Sequence, residues 1–199
     1  MSNKSQNENV LPLDGIAEYY SDVFNQNECQ FYLDELVNNI LWKHDELLMF
    51  GKQITTKRKV AWYGDKPFLY KYSNNTKKAL NWTKSLSVLK KAVEMYSGEK
   101  FNSCLLNLYH NGHEAMSWHC DNEKEIVPQS TICSLSFGAE RKFLFKHKRN
   151  KSNVSIILGN GSLLLMKGFT QANWLHSLPR AASVNKPRVN LTFRTIADL

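Results

Sequence analysis

Seven residues near the C-terminus alternate without a break: Arg188-Val-Asn-Leu-Thr-Phe-Arg194. On a strand, successive side chains point to opposite faces. One face therefore carries Val189, Leu191 and Phe193, and the other carries Arg188, Asn190, Thr192 and Arg194. A lone arginine on a strand is usually a solvated edge charge. Two on one face suit a dicarboxylate, because guanidinium forks grip carboxylates in bidentate fashion. At about 3.3 Å per residue the two Cα atoms stand roughly 20 Å apart, so their side chains must lean together to hold one small ligand.

A second stretch supplies a metal-binding pattern. Asn107-Leu-Tyr-His-Asn-Gly-His-Glu-Ala-Met-Ser-Trp-His119-Cys-Asp121 begins as a short apolar strand, breaks at Asn111-Gly112 and ends in His-x-Asp. With one residue between them, His119 and Asp121 share a strand face. One imidazole nitrogen and one carboxylate oxygen make two-thirds of a facial iron(II) site. His176, in Trp174-Leu-His-Ser-Leu-Pro179, is the best candidate for the third ligand. Such a triad leaves three adjacent positions open, enough for a bidentate cosubstrate and oxygen. Hydrolytic zinc also uses two His and one carboxylate, and either histidine could instead hydrogen-bond within the fold. The paired arginines favour iron, since zinc hydrolysis needs no bound dicarboxylate.

Length, 199 residues, suits a single core in one domain spanning 1–199. Residues 1–10 are polar and read as a flexible tail. Cys29, Leu33, Leu36, Val37 and Ile40 recur at helical spacing, as do Trp82, Leu86, Leu89, Val93 and Tyr96, the second helix ending near Gly98. Between the helices lie strand-like, aromatic and basic segments at 47–50, 59–63 and 69–72. Beyond residue 100 short strands follow one another, and Gly159-Asn-Gly161 reads as a tight hairpin turn between 154–158 and 162–166. Two helices followed by about eight strands predict an α+β fold with helices on one face of a two-sheet sandwich.

Net charge is +8 and the pI about 9.3, which suits a polyanionic partner. The charge is uneven. Residues 14–46 carry eight acids against Lys43, 52–78 carry eight bases against Asp65, and 141–151 carry six bases and no acid. That asymmetry points to nucleic acid, with Lys146, Lys148 and Arg149 as phosphate contacts. The four cysteines show no metal-site or secreted spacing and read as reduced thiols. No signal peptide or membrane-spanning run is seen, so the expectation is an intracellular monomer, cytoplasmic or nuclear, with no membrane partner.

Together these motifs resemble the AlkB family of iron(II)- and 2-oxoglutarate-dependent dioxygenases. The resemblance rests on Asn107-x-Tyr109, His119-x-Asp121, Ser134-Leu-Ser-Phe-Gly-Ala139, Arg141-x-Phe-x-Phe145, His176-Ser-x-Pro179 and Arg188 to Arg194, in that order. It implies a double-stranded β-helix, or jelly roll, over about 101–199, with N-terminal helices and a nucleotide-recognition lid over about 45–100. It implies Fe(II) on His119, Asp121 and His176, with 2-oxoglutarate and O2 as cosubstrates. Arg188 would meet the distal carboxylate of 2-oxoglutarate with Asn107 and Tyr109; Arg194 would support the other carboxylate, and Asn190 shares their face. The implied reaction hydroxylates an alkyl group on a nucleobase of DNA, possibly RNA, and releases succinate, CO2 and formaldehyde.

For the substrate, the resemblance implies a base turned out of its stack. Tyr72 matches the family's stacking position opposite His119, while Tyr70 and Trp62 could line the same pocket. Arg58 resembles a family arginine beside the base, although Lys57 replaces the usual preceding proline. After the metal carboxylate, Asn122 stands where relatives often carry an acid, and Glu123 follows; either could contact the base edge. Phe50, before Gly51, resembles the aromatic finger of duplex-preferring members. An oxygenase acting on protein or small molecules, and a noncatalytic nucleic-acid-binding jelly roll, are the alternatives.

Overall fold

Both expected helices form, and their ends explain themselves. The protein is described by a computed structural model covering residues 8–49, 52–72 and 75–197, with side chains except at 47–49, 52–54, 70–72 and 75–77. In chain order the elements are β1 (Ile16–Tyr20), α1 (Gln26–Asn39), β2 (Lys43–Met49), β3 (Lys52–Gly64), β4 (Leu69–Tyr72), β5 (Asn75–Lys78), β6 (Leu80–Asn81) and α2 (Lys84–Ser97). There follow β7 (Ser103–Tyr109), β8 (Met116–His119), β9 (Ile132–Gly138), β10 (Arg141–His147), β11 (Asn153–Leu158), β12 (Ser162–Lys167), α3 (Thr170–Asn173), β13 (Trp174–Leu178) and β14 (Arg188–Arg194). Asn25 and Glu28 close a capping box on α1, satisfying two donors that the first turn leaves open. Thr83 caps α2, and Gly98, at φ 74°, ends it, a left-handed position that glycine enters without steric cost.

Eight strands pair in one large sheet, ordered β1-β12-β9-β14-β7-β3-β2 with β6 against β3; four more form β11-β10-β13-β8, and β4-β5 is a separate hairpin. The large and small sheets are the two layers of a jelly roll. Glycines at 159 and 161 do not make the expected hairpin. β11 belongs to the small sheet and β12 to the large one, so the turn carries the chain across the sandwich. Gly161 sits at φ 73°, and a Cβ there would stand 2.4 Å from Cys29 Sγ and 3.0 Å from the Phe24 carbonyl. The crossing is thus wedged against the start of α1. The strand pieces expected at 47–50, as far as Met49, and at 59–63 belong to a single antiparallel ribbon, β2–β3, whose second half continues into the large sheet beside β7.

The strict alternation of β14 now has its cause. Val189, Leu191 and Phe193 join Leu36, Leu86, Leu89, Val93, Leu106 and Leu135 in a core between the large sheet and the helices. Each such side chain contributes about 1.5–3 kcal/mol on burial. The opposite face looks toward the small sheet, where Ile132, Phe143, Phe145, Met166 and Trp174 form a second core. At one end of that interlayer space the packing gives way to polar side chains, and the site lies there.

Candidate active site

Strand register brings two of the three expected ligands side by side: His176 on β13 pairs directly with His119, the last residue of β8. Their Nε2 atoms are 3.1 Å apart, and Asp121 Oδ1 lies 3.9 Å from His119 Nε2. The three donor atoms all fall within 4.8 Å of one another, a spacing that could hold one metal ion. His119 Nδ1 meets the Ser117 carbonyl at 2.8 Å, which fixes the tautomer and turns the Nε2 lone pair inward. The Asp121 amide donates to Gln171 Oε1 at 2.9 Å, holding the carboxylate's backbone from α3. Arg194 Nη2 donates to Asp121 Oδ1 at 2.7 Å.

Electrostatics support a ligating state. Burial would raise the Asp121 carboxyl, yet Arg194, with His176 and His119, holds it below the ordinary carboxylate range. Burial pushes the His176 imidazole down to about 4, so it is neutral at neutral pH, the form that binds metals. Two nitrogens and one oxygen on one side of a cavity match the donor set of iron(II) oxygenases.

That cavity, about 190 Å³, is lined by the triad together with Asn107, Tyr109, Arg188, Asn190, Thr192, Arg194 and Arg58, among others. Arg188 is buried, and its Nη2 donates to Ser136 Oγ at 3.0 Å. Two guanidinium groups lie near the Tyr109 ring, Arg188 at 5.4 Å and Arg141 at 5.8 Å from its centroid. Burial lowers the Arg188 guanidinium to about 10, leaving it charged at neutral pH. Among the described residues, Arg188 Nε and Arg194 Nε are buried without a hydrogen-bond partner. Orphaned cationic donors of this kind are costly unless an anion answers them. A dicarboxylate would do so, and the side chains fit 2-oxoglutarate. The two arginines do not lean on one another: Arg194 is committed to Asp121, and Arg188 to Ser136 and Tyr109.

The substrate residues fare unevenly. Arg58 lines the cavity, but it is buried and paired with Asp45 at 2.7 Å, and it also donates to Asn107 Oδ1. Trp62 is placed elsewhere, in a second cavity of about 410 Å³ with Phe68, Leu69, Ser103, Glu125 and Ile126. Glu123, Leu105 and Arg194 border both cavities, and Glu123 Oε1 lies 3.9 Å from Arg194 Nη1. Asn122 is exposed, accepts from Cys120 Sγ at 3.3 Å and borders neither cavity. Tyr70 and Tyr72 lie on β4, with side chains outside the described set, and Phe50 falls outside the described residues. Of the expected phosphate contacts, Lys148 is turned inward, donating to the Gln171 carbonyl at 2.9 Å and to Cys120 Sγ at 3.3 Å.

Several contributors were not singled out for the site from the sequence, although Arg141 and Ser134 stand in two of the motifs quoted above. Asp45 looked like part of an acidic flank, yet it is buried against Arg58. Arg141, almost fully buried, ties together the carbonyls of Glu114 and Pro179. Gln171 comes from a helix of only four residues. Ser134 Oγ accepts from Asn190 Nδ2 at 2.8 Å, which leaves the Asn190 amide fixed on the cavity wall.

Comparison with known proteins agrees with this geometry. The family model described as the 2OG-Fe(II) oxygenase superfamily matches residues 17–194. Human DNA oxidative demethylase ALKBH2 is 37% identical over 194 residues, covering 92% of this chain and 74% of that protein. Human alpha-ketoglutarate-dependent dioxygenase alkB homolog 3 is 36% identical over 187 residues, covering 89% of this chain; the chain spans 65% of that relative's length. A solved structure of OsALKBH1 superposes with a TM-score of 0.63 at 14% identity, covering 90% of this chain and 97% of its own, and shares the fold. With the triad, the buried arginines and these likenesses in place, the chain belongs to the 2OG-Fe(II) oxygenase superfamily, as a member of its AlkB family.

Proposed function

We propose that the protein oxidatively removes alkyl groups from the bases of DNA. The observation that carries this reading is one cavity walled by His119, Asp121 and His176 and by the buried, partly unanswered Arg188. When bound, iron(II) with 2-oxoglutarate and O2 supplies the power to hydroxylate a C–H bond, and a hydroxylated N-methyl group leaves as formaldehyde. His119, Asp121 and His176 hold the metal. Arg188 takes the distal carboxylate of the cosubstrate with Tyr109 and Asn107, and Asn190 fixes the wall between them. Arg194 orients Asp121 and offers its Nε to the second carboxylate. Relatives named as DNA oxidative demethylases and the basic run over 52–78 support nucleic acid as the substrate.

The test is turnover measured as succinate release, with methylated DNA, methylated RNA and unmethylated strands side by side. Methylated DNA stimulates release and unmethylated DNA does not. Stimulation by methylated RNA alone moves the substrate to RNA, and stimulation by neither overturns the reading.

Phe50 extends the reading to duplexes. Its place before Gly51 and the basic ribbon suits a wedge that fills the gap left by a departing base. Phe50→Ala then loses activity on duplex DNA while keeping most of it on single strands. Equal loss on both, with a lower melting temperature, assigns Phe50 to packing.

A further inference from the structure

Where the β2–β3 ribbon enters the large sheet, it buries an ion pair that no role assigned so far uses. Asp45 and Arg58 meet at 2.7 Å, their side chains 9% and 7% exposed. The strand register explains why two charges turn inward. His44 pairs with Lys59 and Glu46 with Thr55, so Asp45 alone faces residues 56–58. An irregularity of this kind re-aims side chains. Thr56 Oγ1 donates to the Arg58 carbonyl at 2.7 Å, and His44 Nδ1 meets the Thr56 carbonyl at 2.9 Å, which holds the bulged segment in place. Both charged residues then line the metal cavity. A buried ion pair seldom stabilises a fold beyond apolar residues of the same volume, so stability alone does not account for it.

Arg58 also donates, through Nη1, to Asn107 Oδ1, while Nη2 stays on Asp45. A guanidinium has no acceptor, so the atom of Asn107 that it meets must be the amide oxygen. Asn107 makes no other side-chain hydrogen bond among the described residues. It lines the cavity, with Val60 and Asn190 paired to it on the two flanking strands. Its Nδ2 donor is therefore the atom left for a ligand. We propose that Asp45 and Arg58 are positioning residues for 2-oxoglutarate: the ion pair fixes the Asn107 amide with its nitrogen presented to the distal carboxylate. This rests on the cosubstrate reading above. An amide free to turn would, in its other orientation, set oxygen against that carboxylate and repel it. The arrangement also assigns Arg58 to the cosubstrate instead of the base.

The experiment measures binding, separately from turnover. 2-Oxoglutarate is titrated by calorimetry into iron(II)-loaded protein under anaerobic conditions, and the melting temperature of each variant is measured alongside. Asp45→Asn leaves the Arg58 charge buried without its partner, so it lowers the melting temperature and raises Kd. Asp45→Leu combined with Arg58→Met removes both charges together and restores the melting temperature. Kd nevertheless stays about tenfold above wild type, the loss of one hydrogen bond to a charged group. Asn107→Leu raises Kd by a similar factor, and adding it to the paired replacement raises Kd no further, because both act on one amide. Affinity that returns together with the melting temperature makes the pair structural and overturns the proposal. Additive losses overturn it too. So does a paired replacement that binds 2-oxoglutarate like wild type but loses the preference for methylated over unmethylated DNA, which returns Arg58 to the base. A wild-type protein that binds no 2-oxoglutarate overturns the cosubstrate reading and this inference with it. Wild-type binding without succinate release on methylated strands removes only the demethylase reading and leaves the positioning role standing.

Discussion

Substituting any one of His119, Asp121 or His176 brings succinate release down to that of wild-type protein stripped by a chelator. With one donor gone, the remaining two hold a divalent ion weakly and leave its open positions misplaced. Asp121→Asn is the cleanest variant. Alanine would leave the Arg194 guanidinium buried without its 2.7 Å partner, at a cost of about 3–5 kcal/mol. Asparagine keeps the volume and an accepting oxygen but loses the charge. Calorimetric titration of metal-free protein reads the result: one iron(II) per chain in the wild type, none at the same concentration in Asp121→Asn or His176→Ala. Wild-type turnover that survived exhaustive chelation would sink the assignment.

Arg188→Ala raises the 2-oxoglutarate requirement by roughly 10–150-fold, since a hydrogen bond to a charged partner contributes about 1.5–3 kcal/mol. Arg188→Lys recovers only part of this, because an ammonium group keeps the charge and loses the fork. A second readout separates binding from folding. Arg188 is buried with a single hydrogen bond to Ser136 and a contact with the Tyr109 ring, so its desolvation is poorly compensated in the free protein. Its removal therefore leaves the melting temperature of the cosubstrate-free protein little changed. In the wild type 2-oxoglutarate raises the melting temperature by mass action; in Arg188→Ala the same concentration does not. An equal rise in both proteins would place the carboxylate elsewhere.

The sequence disclosed the site better than the path of the chain. β14 was legible because its two faces meet two environments that differ as far as side chains can, helix-packed core and polar cavity. His-x-Asp was legible because a metal needs its donors close, and strand spacing provides that locally. The turn at 159–161 was misread because glycine and asparagine report a local bend and say nothing about which sheet receives the next strand. That choice is made by contacts with Cys29 and Phe24, far away in sequence. Asp45 read as part of an acidic flank and Arg58 as an arginine beside the base, and only the β2–β3 register, with its irregularity between His44 and Glu46, turns them inward together. Trp62 was expected in the base pocket, yet alternation gives the face of a strand and not the position along it. It consequently fell in the neighbouring cavity.

The division of labour among strands has a consequence for anyone wishing to change what this protein acts on. The groups proposed for metal and cosubstrate come from β7, β8, β13 and β14 and the residues directly after β8, and β14 is welded to the helical core through Val189, Leu191 and Phe193. The residues proposed for the base come mainly from the β2–β5 segment, together with the loop residues 122–123 that follow Asp121. The two groups join along the β3–β7 ladder from Lys59 to Gly64, and their side chains meet at Arg58 on Asn107 and Glu123 near Arg194. An exchange of the proposed recognition segment between relatives must therefore keep β3 from Lys59 to Gly64, which is part of the large sheet, and vary only the outer half of the ribbon and the separate hairpin.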